Sequence, residues 1–514
     1  MTSLFVNKFA LAPVLFFLVI VPSQAQYDPP LRLEIETRSD AASYRISTCN
    51  GHGFFIFYES TKNEENKKFW VYTYYNVLME EQWKVEIPFL DKLDFRKEYF
   101  DYPDLYMVFH TDEKQKESYN LQLLKLNIAN GKYEVFASKI PDRSIIRDFR
   151  VYNETAYIGY NSDRNSGILS LHTLTRAESS HITNDSLVSE LESIFIDTLN
   201  RSVRAIFNNY FSRESFYFSV ENFTFELEPT GSIILETPEG RKYNTARMTG
   251  VGGEKFLIIG AYDNIKARDT DIRDYFSNES TGFFTVTMDD RGTGQPGFYN
   301  FLEFENITGY LKASEYLSAR KKADKKGTEK MSLDYDLLIH NILEHNNTYY
   351  FIAEGFYEEY RTVTSTYYDY YGRPMPLSYS VFDGYRYFNG FVSCFDESGK
   401  MLWDNGMEIF NILTFNLKRM ISVYFEGDET VLAYNRDGKI ASKIISEDEV
   451  VEGVEYYPLE GSYTNDRVME DSNSSMDYWY DNYFLCYGFQ TIRNSSFVDR
   501  EKRTVFYVNK VAFN

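Results

Sequence analysis

The feature that most constrains the fold of this chain is a strand–turn–strand pattern that recurs along it. In its clearest copy, residues 390–404, apolar and polar residues alternate on both sides of a short turn at Asp396–Gly399. Such alternation predicts antiparallel strands with one buried face. Gly399 provides the positive φ that a tight hairpin turn needs. Related turns occur at four other glycines, namely Gly131, Gly231, Gly292 and Gly438.

The spacing of these turns predicts the architecture. Two of the four gaps between the turn glycines are close to twice a unit of about 50 residues, and few windows show helical periodicity. Repeats of roughly 40 to 50 residues with four short strands are typical of propeller blades. We therefore predict an all-β fold, a β-propeller of roughly seven or eight divergent blades. Both ends of the mature chain are predicted strands that could share one blade.

Residues 1–25 have the pattern of a secretory signal peptide. Lys8 precedes an apolar run over 9–21, and Ser23 and Ala25 are small residues at the positions that cleavage before residue 26 requires. The apolar run is too short for a comfortable transmembrane helix, and no later stretch forms one. The sequence thus predicts an exported protein without a transmembrane span, with one propeller-like domain over 26–514.

Composition excludes several classes of protein. With 44 Tyr and 42 Phe, the chain is too aromatic to be disordered. A formal net charge of −22 argues against binding to nucleic acid through its phosphates. The three cysteines, Cys49, Cys394 and Cys486, are too few for a disulfide scaffold. Buried free thiols are the favoured interpretation, and a single disulfide stays open.

Two inserts interrupt the repeat. The first, about 306–332, combines a short helical stretch with a run of lysines and is interpreted mainly as a solvated segment, with an acidic partner or lipid headgroups as the alternative. The second, about 357–387, is rich in tyrosine around Arg373 and two prolines, and is predicted to be a long loop excursion from its blade.

The tyrosine-rich insert supplies the candidate partner-binding residues. Exposed Tyr and Met with a neighbouring Arg are the residue types that protein interfaces concentrate. Packing of the insert against the propeller's own surface is an equally weighted alternative. The candidates are Tyr367, Tyr368, Tyr370, Tyr371, Arg373, Met375, Tyr379 and Tyr385.

The sequence does not contain a recognisable catalytic motif. It lacks an H-E-x-x-H helix, a Cys pair with metal-ligand spacing and a G-x-S-x-G elbow, so no catalytic residue, metal or cofactor is predicted. Glycoside hydrolysis needs two carboxylates about 5 to 10 Å apart in a pocket. Near the tyrosine-rich insert the candidates for that chemistry are Glu354, Asp383 and Asp404. The segment 395–403 departs from the aspartate box of sialidases in its spacing, so that activity is not transferred.

Three stretches carry a resemblance to a known group of proteins: the hairpin 395–404, the tyrosine-rich insert before it, and the tail at 478–492 and 505–510. Together they resemble uncharacterised exported β-propeller-like proteins of Bacteroidota. The resemblance implies a protein of the Gram-negative envelope, in the periplasm or at the cell surface and associated with the outer membrane. It brings no catalytic residues with it.

The function predicted from the sequence is that of a non-catalytic exported propeller that acts as a protein-interaction module. It would serve as an accessory subunit of a Gram-negative outer-membrane complex, with an envelope or outer-membrane protein as partner. The first alternative is a glycan-binding or glycan-active propeller, whose aromatic residues would stack on sugar rings. An outer-membrane β-barrel is a second alternative, disfavoured by irregular turns and charges.

Overall fold

The structure is a computed structural model in which placement is described for residues 32–37, 44–114, 119–163, 165–184, 188–212, 215–238, 240–265, 279–289, 292–304, 321, 335–463, 465–496 and 502–513. The predicted signal peptide and nearly all of the predicted basic insert lie outside these residues. None of the helical segments among the described residues has the length and apolarity needed to cross a membrane.

The described chain consists of strands joined by short turns, with 3₁₀ turns at Asn50–His52 and Phe301–Glu303. In its first half the strands are β1 (Arg32–Glu36), β2 (Arg45–Thr48), β3 (Phe54–Glu64), β4 (Lys67–Tyr75), β5 (Glu81–Leu90), β6 (Asp94–Asp101), β7 (Asp104–His110), β8 (Leu121–Asn127), β9 (Tyr133–Ser138), β10 (Ile145–Tyr152), β11 (Thr155–Asn161), β12 (Ser166–His172), β13 (Glu178–Ile182), β14 (Val188–Asp197), β15 (Ser202–Ser212), β16 (Ser215–Phe223) and β17 (Pro229–Glu236).

The second half continues in the same manner. Its strands are β18 (Arg241–Gly250), β19 (Phe256–Asn264), β20 (Glu279–Ser280), β21 (Gly282–Asp289), β22 (Gly292–Thr293), β23 (Gly297–Asn300), β24 (Tyr335–Ile339), β25 (Leu343–His345), β26 (Thr348–Tyr368), β27 (Pro374–Phe395), β28 (Met401–Thr414), β29 (Ser422–Glu426), β30 (Glu429–Arg436), β31 (Lys439–Ser446), β32 (Glu449–Pro458), β33 (Arg467–Tyr480), β34 (Tyr483–Arg493) and β35 (Lys502–Ala512).

These strands form eight antiparallel sheets in succession along the chain. Sheets 1 to 4 are β2–β5, β6–β9, β10–β13 and β14–β17, each paired in chain order. Sheet 5 contains β18, β19, β21, β22 and β23, and sheet 6 contains β20 with β24–β28. Sheet 7 is β29–β32, and sheet 8 has the order β1-β35-β34-β33. The predicted all-β propeller fold is confirmed.

Eight clusters of buried side chains show how the sheets pack. Each cluster combines residues of two successive sheets; Trp70 of sheet 1, for example, packs with Phe109 of sheet 2. The last cluster joins sheet 8 to sheet 1 through Trp479 and Phe54. Every sheet is therefore covered on both faces by its neighbours, which explains runs such as β7 in which every residue is buried. The sheets form a closed ring.

Ring closure depends on the two ends of the described chain. β1 pairs antiparallel with β35 over Arg32–Glu36, so sheet 8 contains strands from both ends, as the sequence predicts. Arg503 of β35 donates to Glu34 of β1 at 3.0 Å and to Asp466 at 2.7 Å. We call Glu34, Asp466 and Arg503 the closure triad. Its side chains are only 2–11% exposed.

The hairpin at 390–404 confirms the predicted strand–turn–strand pattern and also joins two sheets. Its turn is closed by the side chain of Asp396, which accepts from the backbone N–H groups of Ser398 and Lys400 at 2.9 and 3.0 Å. Gly399 has φ +81°, and a Cβ there would lie 3.1 Å from Thr285 Oγ1. Its carbonyl accepts from the Thr285 hydroxyl at 2.6 Å. Glycine thus lets this turn of sheet 6 rest directly on sheet 5.

The three cysteines are free and buried, which confirms the favoured interpretation. They lie in three different clusters between sheets. Burial raises the pKa of the Cys394 thiol to about 11 and raises the pKa of Cys49 and Cys486 as well. Protonated thiols of this kind serve as small apolar packing groups.

His110 makes the fold sensitive to acid. Its ring is fully buried, and neither ring nitrogen has a hydrogen-bond partner among the described residues. Burial, with the nearby charge of Arg96, lowers its pKa from 6.5 to about 4. Between pH 6.5 and about 4, His110 is protonated in the unfolded chain but stays neutral in the folded chain. The free energy of unfolding therefore falls as the pH drops through this interval. We expect a loss of about 3 kcal/mol.

Denaturant titrations across this pH interval test the expectation. His110→Leu removes the titrating group, so its stability should change less with pH than that of the parent protein by about that amount. His52→Leu, at an exposed position, is the matched control and should keep the parent pH dependence. A His110→Leu profile parallel to that of the parent would contradict the assignment.

Candidate functional site

The tyrosine-rich insert is a two-stranded ribbon that leaves the ring at sheet 6. β26 and β27 continue to pair beyond the sheet, from Tyr360 opposite Phe382 to Tyr368 opposite Pro374. Over this part neither strand has a second neighbour among the described residues, because β24 ends its pairing at Phe356 and β28 begins at Tyr385. We call residues 360–382 the tyrosine arm.

Asp369 closes the tip of the tyrosine arm. Its carboxylate accepts from the backbone N–H groups of Tyr371 and Arg373 at 2.9 and 2.8 Å, and its own N–H donates to the Arg373 carbonyl at 3.0 Å. Gly372 has φ +72°, the conformation that such a turn requires. The five-residue turn fixes the register of the whole arm.

That register explains how prolines fit into a regular strand. Asp369 and Arg373 form a hydrogen-bonded pair, so Pro374 and Pro376 fall at positions whose backbone nitrogen points away from β26. The missing N–H groups interrupt no ladder bond. Where the sequence predicts a loop excursion, the structure therefore has an excursion made of paired strands.

The two faces of the tyrosine arm differ in chemistry. Directly opposed residues share a face of an antiparallel pair, and the face alternates along each strand. One face, which we call the hydroxyl face, carries Thr362, Thr364, Thr366, Ser378 and Ser380 along its centre, with Tyr360, Phe382 and Tyr368 towards its ends. The other, which we call the apolar face, carries Val363, Tyr367, Met375, Leu377, Tyr379 and Val381, with Ser365 opposite Leu377 and Arg361 opposite Val381 as its polar members. Its four central members, Tyr367, Met375, Leu377 and Tyr379, are 43–50% exposed.

The candidate residues from the sequence are distributed over the arm and its base. Tyr367, Met375 and Tyr379 lie on the apolar face, and Tyr368 lies on the hydroxyl face. Tyr370 and Tyr371 occupy the tip with Arg373 and are 97% and 79% exposed. Tyr385 lies at the base, where it packs edge-on against Phe356 and Phe382. The structure thus brings three of the eight onto one surface.

Charged residues fix the base of the arm. Arg361 pairs with Asp383 at 3.2 Å, and Arg386 donates to Glu359 and, at 2.7 Å, to Asn411 of β28. The hydrogen bond from Arg386 lowers the pKa of Glu359, so this carboxyl group stays ionised. These cross-strand pairs hold the ribbon in one orientation relative to sheet 6.

The three carboxylates considered for glycan chemistry have separate surroundings. Glu354 is fully buried and accepts from the backbone N–H groups of Met420 and Ile421 at 2.9 Å. Asp383 is at the base of the arm, and Asp404 is a buried residue of β28. Two surface clefts, of about 520 and 470 Å³, are lined by 234–238 with 294–298 and by parts of sheet 8. None of the three carboxylates lines either cleft.

Sequence reasoning missed part of the apolar face. Leu377 and Val363 belong to it, and the alternation of 361–381 about the turn at Asp369 would have indicated them. No group of three or more His, Cys, Asp or Glu side chains able to hold a metal ion occurs within the described ranges.

Comparison with known proteins gives no family. No protein-family model and no curated protein matches the chain. Three solved structures are similar over most of it: the polysaccharide lyase Uly1 (10% identity, 81% of this chain and 89% of that one, TM-score 0.38), the β-propeller domain of the Trilobed protease from Pyrococcus furiosus (10%, 81% and 94%, TM-score 0.33), and a functionally unknown protein from Desulfotomaculum acetoxidans (8%, 76% and 96%, TM-score 0.37). At these TM-scores, all below 0.5, the similarities carry no argument about activity.

Proposed function

We propose that this protein is a non-catalytic exported β-propeller that acts as a protein-interaction module, with the tyrosine arm as its docking element. The observation that carries the proposal is the apolar face of the arm, which projects from the ring with its central side chains about half exposed. Contiguous exposed apolar surface of this kind is typical of interaction sites.

An isolated two-stranded ribbon such as the tyrosine arm gains little stability on its own. A two-stranded hairpin with one apolar face is marginally stable in water, because it gains little from burial. Covering the apolar face with a partner removes that surface from water at about 25 cal/mol per Å². Tyrosine loses little side-chain entropy for its contact area, which suits Tyr367 and Tyr379 to this role.

The prolines indicate how a partner would dock. Pro374 and Pro376 leave the outer edge of β27 without two of the donors that a further strand would need. Strand addition is therefore disfavoured on that edge, and contact through the apolar face is favoured. The partner we propose is an outer-membrane protein of a Gram-negative envelope, with this chain as its accessory subunit; the predicted signal peptide supports that compartment.

Site-specific photocrosslinking in the native host tests the docking face. We expect a photoreactive residue at Leu377 to crosslink to one stoichiometric envelope protein, because its side chain lies on the apolar face. The same residue at Ser378, next along the strand but on the hydroxyl face, is the matched control and should give little product. Equal crosslinking from both positions, or none from Leu377, would contradict the proposed docking surface.

Substitutions on the two faces provide a quantitative test. We expect Tyr367→Ser with Leu377→Ser to weaken binding of that purified partner at least about tenfold, as loss of an interface anchor does. Thr364→Ala with Ser378→Ala should leave the affinity within about twofold. Both double variants should have the same melting temperature as the parent protein, because the arm lies outside the buried clusters between sheets. Unchanged affinity in the first pair would refute the proposal.

A glycan-binding function is the alternative, and it requires a different kind of site. It needs polar or charged groups that converge on a solvent-accessible space, and the carboxylates named from the sequence do not provide this arrangement.

A further inference from the structure

The tyrosine arm has two outer edges, and they differ in what they offer to another strand. Beyond Phe356, where the pairing of β24 ends, the edge of β26 has no neighbouring strand in the part of the chain that the structure describes. β27 has a similar free edge before Tyr385, where the pairing of β28 begins. A free strand edge presents a row of backbone N–H and C=O groups with which another extended strand can pair.

The register of the arm shows which backbone groups point outwards. Asp369 and Arg373 form a hydrogen-bonded pair, and the pairing from there back to Tyr360 has no register shift. Hydrogen-bonded and non-hydrogen-bonded pairs alternate along an antiparallel ladder, so every second residue of β26 turns its N–H and C=O groups outwards. The residues with outward backbone groups are Tyr360, Thr362, Thr364, Thr366 and Tyr368.

The edge of β27 is blocked against strand pairing, whereas the edge of β26 is open. The outward positions of β27 include Pro374 and Pro376, which have no N–H to donate. Proline, lysine and β-bulges are the usual features that protect a strand edge from pairing. From 360 to 368, β26 contains none of them, and its residues 362–368 carry no charge. The outward N–H groups of β26 therefore form an unbroken row.

The sequence of this open edge is complementary to itself. When two copies of β26 pair antiparallel with their Ser365 residues opposite each other, Val363 of one copy lies opposite Tyr367 of the other on the apolar face. On the hydroxyl face, Thr364 then lies opposite Thr366. Cross-strand pairs of both kinds, aromatic with β-branched and threonine with threonine, stabilise antiparallel sheets. The side chains of β26 thus suit a second β26 as the neighbouring strand.

The same register also matches the charges at the ends of the paired segment. Arg361 of each copy lies opposite Asp369 of the other copy, so opposite charges face each other at both ends. A register centred one residue earlier, on Thr364, would instead place Glu359 opposite Asp369, and like charges directly opposite each other are destabilising. The charge pattern therefore favours the register centred on Ser365 and a second copy of this chain as the occupant of the edge.

We propose that the tyrosine arm joins two copies of this protein by antiparallel pairing of their β26 edges into a four-stranded sheet centred on Ser365. Three or more strands with an apolar face are stable in water, where a single two-stranded hairpin is marginal. A twofold axis perpendicular to the sheet keeps the two apolar faces on the same side, so the surface proposed for the envelope partner stays open. The dimer does not rest on that proposal, because it uses the edge of β26 and not the face.

Analytical ultracentrifugation of the purified protein tests the dimer. It is done at physiological ionic strength, where the repulsion between two chains of net charge −22 is screened beyond about 8 Å. We expect a monomer–dimer equilibrium for the parent protein. Thr364→Pro removes an outward N–H of β26 and should weaken dimerisation at least about tenfold. A parent protein that is monomeric at every concentration would overturn the proposal.

Ser378→Pro is the matched control for Thr364→Pro. Ser378 lies directly opposite Thr364, and their hydroxyl oxygens are 2.9 Å apart, so both variants lose the same side-chain hydrogen bond. Both positions face outwards, so neither proline interrupts the ladder between β26 and β27. Ser378→Pro should dimerise as the parent protein does. Equal weakening in the two proline variants would also overturn the proposal.

Disulfide trapping tests the register. Ser365 is exposed and would face its counterpart in a non-hydrogen-bonded pair, where Cα atoms are about 4.5 Å apart and a disulfide can form. Ser365→Cys should give a disulfide-linked dimer under mild oxidation, since the chain's own three cysteines are buried. Leu377→Cys, opposite Ser365 on β27, is the control; its two copies would lie three strand spacings apart, about 14 Å. Crosslinking of Leu377→Cys but not of Ser365→Cys would show stacked apolar faces and overturn the edge-to-edge arrangement.

The dimer and the partner contact can fail separately. Leu377→Ser lies on β27, away from the paired edge, and should leave dimerisation unchanged while it weakens partner binding. Thr364→Pro should weaken dimerisation and leave photocrosslinking from Leu377 to the envelope protein intact. A monomeric parent protein whose partner binding is lost in Thr364→Pro would show that the edge of β26 takes a strand of the envelope protein, and would overturn the dimer.

Discussion

Replacing Glu354 with alanine should destabilise the folded protein by about 3 to 5 kcal/mol, the range observed when one partner of a buried ionic network is removed. Glu354 of sheet 6 is fully buried, and its carboxylate is 2.7 Å from His340 Nε2. It also accepts from the backbone N–H groups of Met420 and Ile421, which lead into sheet 7. Alanine would leave these donors buried without an acceptor and leave a cavity between the two sheets.

Urea denaturation of matched variants measures this effect. Glu354→Gln keeps the side-chain volume and one oxygen acceptor. Its free energy of unfolding should therefore lie between that of the parent protein and that of Glu354→Ala. Glu408→Ala, an exposed glutamate of the same sheet, should change stability by less than about 0.5 kcal/mol. A Glu354→Ala protein as stable as Glu408→Ala would show that sheets 6 and 7 do not depend on this carboxylate.

Replacing Arg503 with methionine should cost a similar amount, again about 3 to 5 kcal/mol at neutral pH. The substitution leaves Asp466 nearly buried without its cation and leaves Glu34 with Arg32, at 2.8 Å, as its remaining cationic partner. Because Glu34 lies on β1 and Arg503 on β35, the substitution should mainly destabilise the β1–β35 pairing that closes the ring. Thermal unfolding with a probe of the β1–β35 contact, such as fluorescence from a label on β1, should report early detachment of β1.

The pH dependence of this variant distinguishes a lost ion pair from simple loss of packing. Burial would raise the pKa values of Glu34 and Asp466, but hydrogen bonds bring both below their ordinary 4.5 and 3.8: mainly from Arg32, with a smaller part from Arg503, for Glu34, and mainly from Arg503 for Asp466. Stability from such depressed pKa values is present above the ordinary pKa and is lost as the pH falls through the folded values. The difference between parent and Arg503→Met should therefore shrink in acid. Lys502→Met, on the same strand and exposed, should show neither effect; a pH-independent difference for Arg503→Met would indicate packing alone.

The sequence predicts the repeating architecture well, because each hairpin is a local feature. Alternation around Gly399 and similar turns depends on residues a few positions apart, and the blade-sized spacing follows from counting them. The same holds for the shared blade, since β1 alternates and the consecutive apolar residues 505–508 mark β35 as a buried strand. The free thiols were predicted from the number of cysteines, because three are too few to stabilise a chain of this size through disulfide bonds.

The candidate site was predicted only in part, for physical reasons. Two prolines near Arg373 argue against a strand until the register of the turn is known, so the ribbon was expected to be a loop. Glu354 was singled out for its aromatic neighbours, but a carboxylate bound by backbone N–H groups of the next sheet is indistinguishable in sequence from a catalytic one.

The pairing of β1 with β35 also sets the order in which the molecule is completed. Arg32 and Asn509, joined by a hydrogen bond of 2.8 Å, are separated by 477 positions. During synthesis the first strand is made at once but has no partner until the last strand emerges, and contacts of such long range form late. Until then, the surface of sheet 1 that Trp479 covers stays bare. We therefore expect a chain that lacks β35 to expose this apolar surface of sheet 1.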